Sequence, residues 1–318
     1  MEQHKIQVKS HDGFFKAILE QPGTAAALLK ERLPAELVAR LRLDTVEPAP
    51  AGFIDEELKA SQGDALLVVK TVEGETSMVY VLIEHKSAPD FWIALQLLKY
   101  LARLYERWHT EHRLEKLPLV VPLVVYHGEE PWNAPPDFGG LLAGRKPSTP
   151  AHLDFGYAML DLGQIPNEEL SEHQDLHAGL LLLKYGPRTR ERAPVVKLGL
   201  LLRAVRVESR EFFVKAISYT INVYPTERAA EILEEARRII PEEEAMFRTL
   251  VDEWKDEGFR EGKAEGKADT LISLLVQRFG SVSGGAEGRI RQADVARLDA
   301  WLARFLNAKS VEEVLADS

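Results

Sequence analysis

Between Asp12 and Leu43 apolar residues recur at intervals of three and four: Phe14, Phe15, Ile18 and Leu19, then Ala25, Leu28, Leu29, Leu37 and Leu41, with breaks at Pro22 and Pro34. That spacing lines one face of a 3.6-residue helix and predicts two or three short helices. The period then shortens. Leu66 to Lys70 and Met78 to Ile83 are rich in Val and Ile and flank Glu73-Gly74-Glu75, which predicts a hairpin. A helical period returns from Phe91 to about His112. After a charged turn it gives way to an apolar strand, Leu117 to Tyr126, then His127-Gly128 and a Pro-rich stretch from Pro131 to Pro150. A strand-like piece, Tyr157 to Leu162, precedes helical patterns at Asn167 to Leu183, Val195 to Val207 and Arg210 to Asn222, and a densely charged helical block at Thr226 to Glu257. Two amphipathic helices close the chain, about Ala268 to Phe279 and Asp294 to Leu306, with a Ser/Gly-rich loop between them at Gly280 to Gly288.

Helices, hairpin, helix and strand in that order predict an α/β fold with a mixed sheet covered by helices, followed by helical regions and a small α-helical C-terminal module. The expected domains are a core at 1–145, a mixed then helical extension packed on it at 146–240, and a charged, glycine-bearing helix with its module at 241–318. The 318 residues, 45% hydrophobic and 28% charged, are in balance for about two globular domains. The chain has no cysteine, which excludes disulfides, a thiolate nucleophile and Cys-ligated zinc and fits a reducing cytoplasm, the expected location. The longest apolar run, Leu117 to Tyr126, holds two prolines and falls short of the roughly 20 residues of a membrane helix. No membrane association is expected. The formal charge of −10 supplies no global attraction for nucleic acid, so any such site must be a local basic patch.

Two carboxylates stand out against this pattern. Asp64 opens the first hairpin strand and Glu84 closes the second, so folding about Gly74 brings them opposite each other or within one residue of it, depending on loop parity. Strand alternation gives Glu84 and Lys86 one face. Converging carboxylates are costly without a cation, and hard oxygen donors suit Mg²⁺, Mn²⁺ or Ca²⁺. A lysine beside them can hold a water or balance charge, which together are the parts of metal-assisted phosphodiester hydrolysis. In the following helix Gln96, Lys99, Tyr100, Arg103 and Arg107 fall within about 100° of arc, a polar and basic stripe suited to phosphates, or alternatively a solvated face with the arginines paired to Glu106 and Glu111. His11 has the pKa of a general base. Asp12 is better suited to capping the first helix, with Lys16 one turn on facing the site. Asp55, just before the Asp64 strand, is read as part of a solvated charge run, and His109, His112, His173 and His177 as surface histidines.

Gly258, Gly262 and Gly266 recur every four residues within Glu257 to Ala268, each costing a helix about 1 kcal/mol. Close approach of a partner helix is one reason for them, and a weak linker helix the other. The first makes this face a candidate for homo-oligomerisation.

Asp64 followed by Glu84-x-Lys86 resembles the PD-(D/E)XK nuclease signature. The longer string is more specific: His11-Asp12-x-x-Phe15-Lys16, Leu33-Pro34, Phe53-Ile54-Asp55, Leu82-Ile83-Glu84-His85-Lys86-Ser87 and Pro122 to Gly128. Over about residues 9 to 130 it is similar to the Rpn family of recombination-promoting nucleases. The resemblance implies a restriction-endonuclease-like core, a Mg²⁺-dependent DNA endonuclease of low sequence specificity, Asp64 and Glu84 as metal ligands and Lys86 as the third catalytic group. Gln96-x-x-x-Tyr100 also resembles a motif of RecB-like nucleases. Relatives commonly carry Gln at the Lys86 position; this chain has the lysine of the wider superfamily. The competing expectation is a weakly active nuclease-like protein that acts as an interaction subunit through its C-terminal helices.

Overall fold

The computed structural model describes residues 10–49, 65–72, 74–112, 116–144, 153–188, 193–305 and 308–316, with the backbone alone at 74–85, 250, 253–263 and 265. The chain divides into two compact units, residues 1–243 and 244–318.

In the first unit five strands form one mixed sheet: β1 (Glu47–Pro48), β2 (Ala65–Thr71), β3 (Gly74–Lys86), β4 (Leu119–Tyr126) and β5 (Ala158–Asp161), in that spatial order. β1 and β2 pair antiparallel, as do β2 and β3, whereas β3, β4 and β5 run parallel to one another. The hairpin forms where the change of period predicts it, with Val69 opposite Val79 and a register irregularity at Lys70/Thr71. Helix α4 (Ile93–Glu111) connects the parallel strands β3 and β4. Its residues Leu97, Leu101, Leu104 and Trp108, spaced four, three and four, pack on Leu66, Val68, Val120 and Val124 of the sheet.

The remaining helices of this unit are α1 (His11–Leu19), α2 (Thr24–Arg32), α3 (Ala35–Val38), α5 (Gln174–Tyr185), α6 (Val195–Glu208), α7 (Arg210–Val223) and α8 (Thr226–Ile239). Helix α5 is buried along nearly its whole length from Asp175 onward, as its continuous leucine run requires. Even its Lys184 is buried, with Nζ donating to the Ile165 carbonyl at 2.7 Å. Helix α1 packs against both α5 and α7. The ring of Phe14 stacks on Tyr219 at 4.1 Å, and at Gly179 of α5 any Cβ would stand 2.5 Å from Ile18.

Two expectations need correction here. Ser10, not Asp12, caps α1: its Oγ accepts from the Gly13 amide, and Asp12 lies inside the first turn, where its charge favours the helix dipole. The helix expected from Asn167 begins at Gln174, because the chain leaving Pro166 makes only a 3₁₀ turn at Asn167–Glu169.

Arg206 of α6 and Arg210 of α7 converge on Glu243, in the turn Pro241–Glu243, at 2.8 and 3.3 Å. Glu243 is 5% exposed. Burial pushes its carboxyl up, but the two guanidiniums outweigh that and hold it below the usual value of 4.5. Arg210 is largely exposed and solvent-screened, so Arg206 carries most of the pair. Glu243→Gln should therefore cost about 1–3 kcal/mol at neutral pH. Because the folded-state pKa is depressed, this stabilisation is present above the unfolded value and lost as pH falls through the folded one. Urea melts of parent and variant should differ at pH 7, and the gap should narrow as the carboxylate protonates in acid. A gap unchanged by pH would discount the ion pair.

The second unit contains α9 (Glu244–Phe279), α10 (Gly284–Arg291), α11 (Val295–Phe305) and α12 (Val311–Val314). Ala268, Leu271, Leu275, Ile290, Leu298, Trp301, Val314 and Leu315 form its core. The charged block expected at Thr226 to Glu257 is broken at Pro241–Glu243, and its end, the glycine repeat and the helix expected at Ala268 to Phe279 belong to one continuous helix of 36 residues. The Ser/Gly-rich loop is also largely helix. Ser283 caps α10 through its Oγ, and burial of Ile290 outweighs the cost of three glycines.

Candidate active site

The carboxyl ends of the three parallel strands place Lys86, Tyr126 and Asp161 in one row, Lys86 paired with Tyr126 and Tyr126 with Asp161. Edges of this kind are where open α/β sheets bind ligands. Gly128 closes the edge tightly. A Cβ there would stand 2.3 Å from the Ser87 carbonyl oxygen and 2.4 Å from the Tyr126 hydroxyl, so only glycine lets the chain turn so close to the end of β3. The His127 amide donates to the Lys86 carbonyl at 3.1 Å, which ties the two strand ends together.

Lys86 anchors the site. Its Nζ donates to Gln96 Oε1 at 2.9 Å, and Gln96 Nε2 donates to the Tyr100 hydroxyl at 2.9 Å. Asp90 Oδ2 stands 3.3 Å from the same Nζ. The lysine is thereby held at half-buried depth between strand and helix, with the Asp90 carboxylate beside its charge. Burial pushes the Tyr126 hydroxyl up, Asp161 and Glu130 push it further, and Arg188 opposes them; the hydroxyl donates to the Glu130 carbonyl. Arg188 donates to the Gly128 carbonyl at 2.8 Å. Asp161 Oδ1 accepts from the Gly163 amide at 2.9 Å. Sequence reasoning passes over Asp161, although an acid closing an apolar strand is the same signal that singles out Glu84.

Of the other expected site residues, Asp64 lies outside the described residues, as does Asp55. The register sets Ala65 opposite Ile83, so the described pairing stops one residue short of Asp64 and Glu84. The Glu84 backbone stands opposite Val124 on β4, two residues before Lys86. Among the described residues no group of three or more His, Asp or Glu side chains is placed to hold a metal ion. The α4 stripe divides: Gln96 and Tyr100 join the lysine, Arg107 pairs with Glu111 at 3.1 Å, Lys99 is exposed and Arg103 half-buried. Lys16 is half-buried on α1. Gly266 is exposed with open space around it, and Gly258 and Gly262 belong to the backbone-only stretch of α9.

His11 is engaged elsewhere. Its Nδ1 is 2.7 Å from the Tyr219 hydroxyl, and its ring lies 4.6 Å from that of His127, whose Nδ1 is 3.2 Å from the Leu183 carbonyl. His112 stacks on Trp108. His173 and His177 are half-buried rather than surface residues, because both belong to the start of the buried helix α5. His173 and Asp175 line a cavity of about 380 Å³ with Pro22 and Glu208. Burial there pushes the Asp175 carboxyl up, His173 opposes this and Glu208 adds to it.

A mixed five-stranded sheet flanked by helices, with ionisable groups gathered where its parallel strands end, places the chain among α/β proteins whose polar site lies at a sheet edge. It belongs to the family described as "Putative transposase, YhgA-like", whose model matches residues 9–211. The chain is similar to "Recombination-promoting nuclease RpnD" of Escherichia coli O157:H7, 28% identical over 79% of this chain and 95% of that protein. "Recombination-promoting nuclease RpnA" of Escherichia coli K12 is 28% identical over 78% of this chain and 84% of its own length. "Inactive recombination-promoting nuclease-like protein RpnE" of the same strain is 29% identical over 78% and 82%. No solved structure matches the chain. These relatives support a role in nuclease or recombination chemistry. Among the described residues no helix is long and apolar enough to cross a membrane.

Proposed function

We propose that this protein is a metal-dependent DNA endonuclease with a restriction-endonuclease-like core, cutting phosphodiester bonds with little sequence preference in bacterial DNA recombination, mobility or defence. The observation that carries the reading is Lys86, fixed by Asp90 and Gln96 at the carboxyl end of β3, in the row that also holds Tyr126 and Asp161. Asp64 and Glu84 would hold Mg²⁺, with Mn²⁺ or Ca²⁺ as alternatives, since their carboxylates are hard oxygen donors. When bound, the ion supplies charge neutralisation for the scissile phosphate and lowers the pKa of an attacking water. Lys86 orients that water or offsets the negative charge that develops on the phosphate. Lys99, Arg103, Arg107 and Lys16 contribute phosphate contacts that give affinity without reading sequence.

The deciding experiment incubates the full chain with supercoiled and linear DNA in Mg²⁺, in Mn²⁺ and in chelator. Cleavage in either metal and none in chelator is the expected result. No cleavage of any substrate by folded protein would overturn the reading. It would favour the second one, an interaction subunit working through the C-terminal unit, which the relative named inactive brings forward. In either case the Gly258, Gly262 and Gly266 face of α9 is the proposed surface for self-association, because small residues at this spacing permit close helix approach.

A further inference from the structure

Phe91 and Trp92 form the turn that leads into α4, and they are 48% and 57% exposed. Their rings meet edge to face with centroids 5.3 Å apart. Leu95, one turn on, extends the apolar patch. Two aromatic side chains left in water next to a well-packed sheet call for an occupant.

The turn is held in place by the candidate site itself. Asp90 Oδ1 accepts from the Trp92 amide at 2.9 Å, while Asp90 Oδ2 stands 3.3 Å from Lys86 Nζ. One carboxylate therefore fixes both the aromatic turn and the site lysine. Gln96, the partner of Lys86, lies one helical turn beyond Trp92, and the exposed Lys99 follows it. Flat π-faces at the entry to α4, a site lysine at the end of β3 and cationic side chains along α4 match the chemistry of unstacked nucleobases on a phosphate backbone. In an intact duplex the bases stack on one another, and an external ring finds only their edges.

We propose that Phe91 and Trp92 are a stacking platform for unpaired bases, and that the preferred substrate is single-stranded DNA or DNA splayed next to the cleavage point. This rests on the nuclease reading and adds the structure of its substrate.

The test is fluorescence anisotropy of the full chain, in chelator, with a labelled single strand and with a blunt duplex of the same sequence. The parent should prefer the single strand. Trp92→Ala should weaken single-strand binding by about tenfold, and the double variant with Phe91→Ala by about a hundredfold, since each lost base stack is worth a factor of that order. Duplex binding should change little. Trp92→Phe should retain most of the affinity and Trp92→Leu should not, which separates a π-face from a merely apolar one. Circular dichroism checks that each variant is folded. Single-strand binding at the parent level in the double variant, or a parent that prefers the duplex, overturns the platform. If metal-dependent cleavage persists alongside either of those results, the nuclease reading stands without it. A parent that binds neither DNA and cleaves none removes both.

Discussion

Glu84→Gln and Asp64→Asn should each abolish metal-dependent DNA cleavage, reducing its rate by about 10²- to 10⁴-fold or more while the chain stays folded. Each substitution keeps the size of the side chain and removes one of two charges that the proposed metal site requires. A site that loses a hard anionic donor loses both affinity for the ion and control of the attacking water, which accounts for an effect of several kcal/mol on the barrier. Lys86→Met should cost about 10²-fold or more, the range for removing a positioned proton-transfer or charge-stabilising group. Lys86→Gln should retain part of the rate, because an amide still bonds to Gln96. Asp161→Asn separates structure from charge: the amide keeps an oxygen for the Gly163 amide, so a lower rate would reflect the missing charge at the strand edge. Plasmid nicking assays at fixed metal concentration read all five. Cleavage that survives both carboxylate substitutions would mean that the site lies elsewhere or that the activity belongs to a contaminant.

The second large effect concerns stability. Trp301 is 1% exposed at the centre of the 244–318 unit, with the Arg297 guanidinium 5.4 Å over its ring. Trp301→Ala removes a side chain whose loss from a core costs about 3–5 kcal/mol. At 0.05–0.15 kcal/mol per residue, a unit of this size has about 4–11 kcal/mol in total, so the substitution consumes much of its stability. Hydrogen exchange on the full chain should then show loss of protection across α10, α11 and the last turns of α9, with β2 to β4 unchanged. Loss spread evenly over the whole chain would mean that the two units unfold as one. Unchanged exchange in the C-terminal helices would mean that Trp301 does not organise their core.

Much of this architecture is legible in the sequence because burial imposes a period. The Leu97, Leu101, Leu104 and Trp108 series identifies α4, and the Val/Ile runs flanking Gly74 identify the hairpin. What is not legible is decided by partners distant in sequence. The segment at Gly280 to Gly288 looks like a loop by propensity, yet a helix starts at Gly284, because Ser283 caps it and Ile290 finds the core formed by Leu271, Leu298 and Trp301. Asp12 and Ser10 are both competent caps, and only the backbone conformation chooses between them. At the site, Glu84, Lys86, Gln96 and Tyr100 are visible as residue types. Their arrangement is not, since the Lys86 to Gln96 bond needs a helix returning over its own strand. Asp161 closes an apolar strand as Glu84 does, but its place beside Tyr126 follows from the pairing of β5 with β4, which no local pattern encodes.

The packing of α1 on α7 bears on how the chain is made. The helix carrying Phe212 and Tyr219 follows Phe14, Phe15 and Ile18 by about 190 residues. At 5–20 residues per second that is a wait of roughly 10–40 s before the apolar stripe of α1 is fully covered. The hairpin can close on its own within microseconds, whereas α1 waits about 155 residues for α5 and about 190 for α7. A nascent chain of this protein should therefore be a client of ribosome-associated chaperones over that interval, and stalling synthesis before residue 174, ahead of both partner helices, should leave the first helix open to protease.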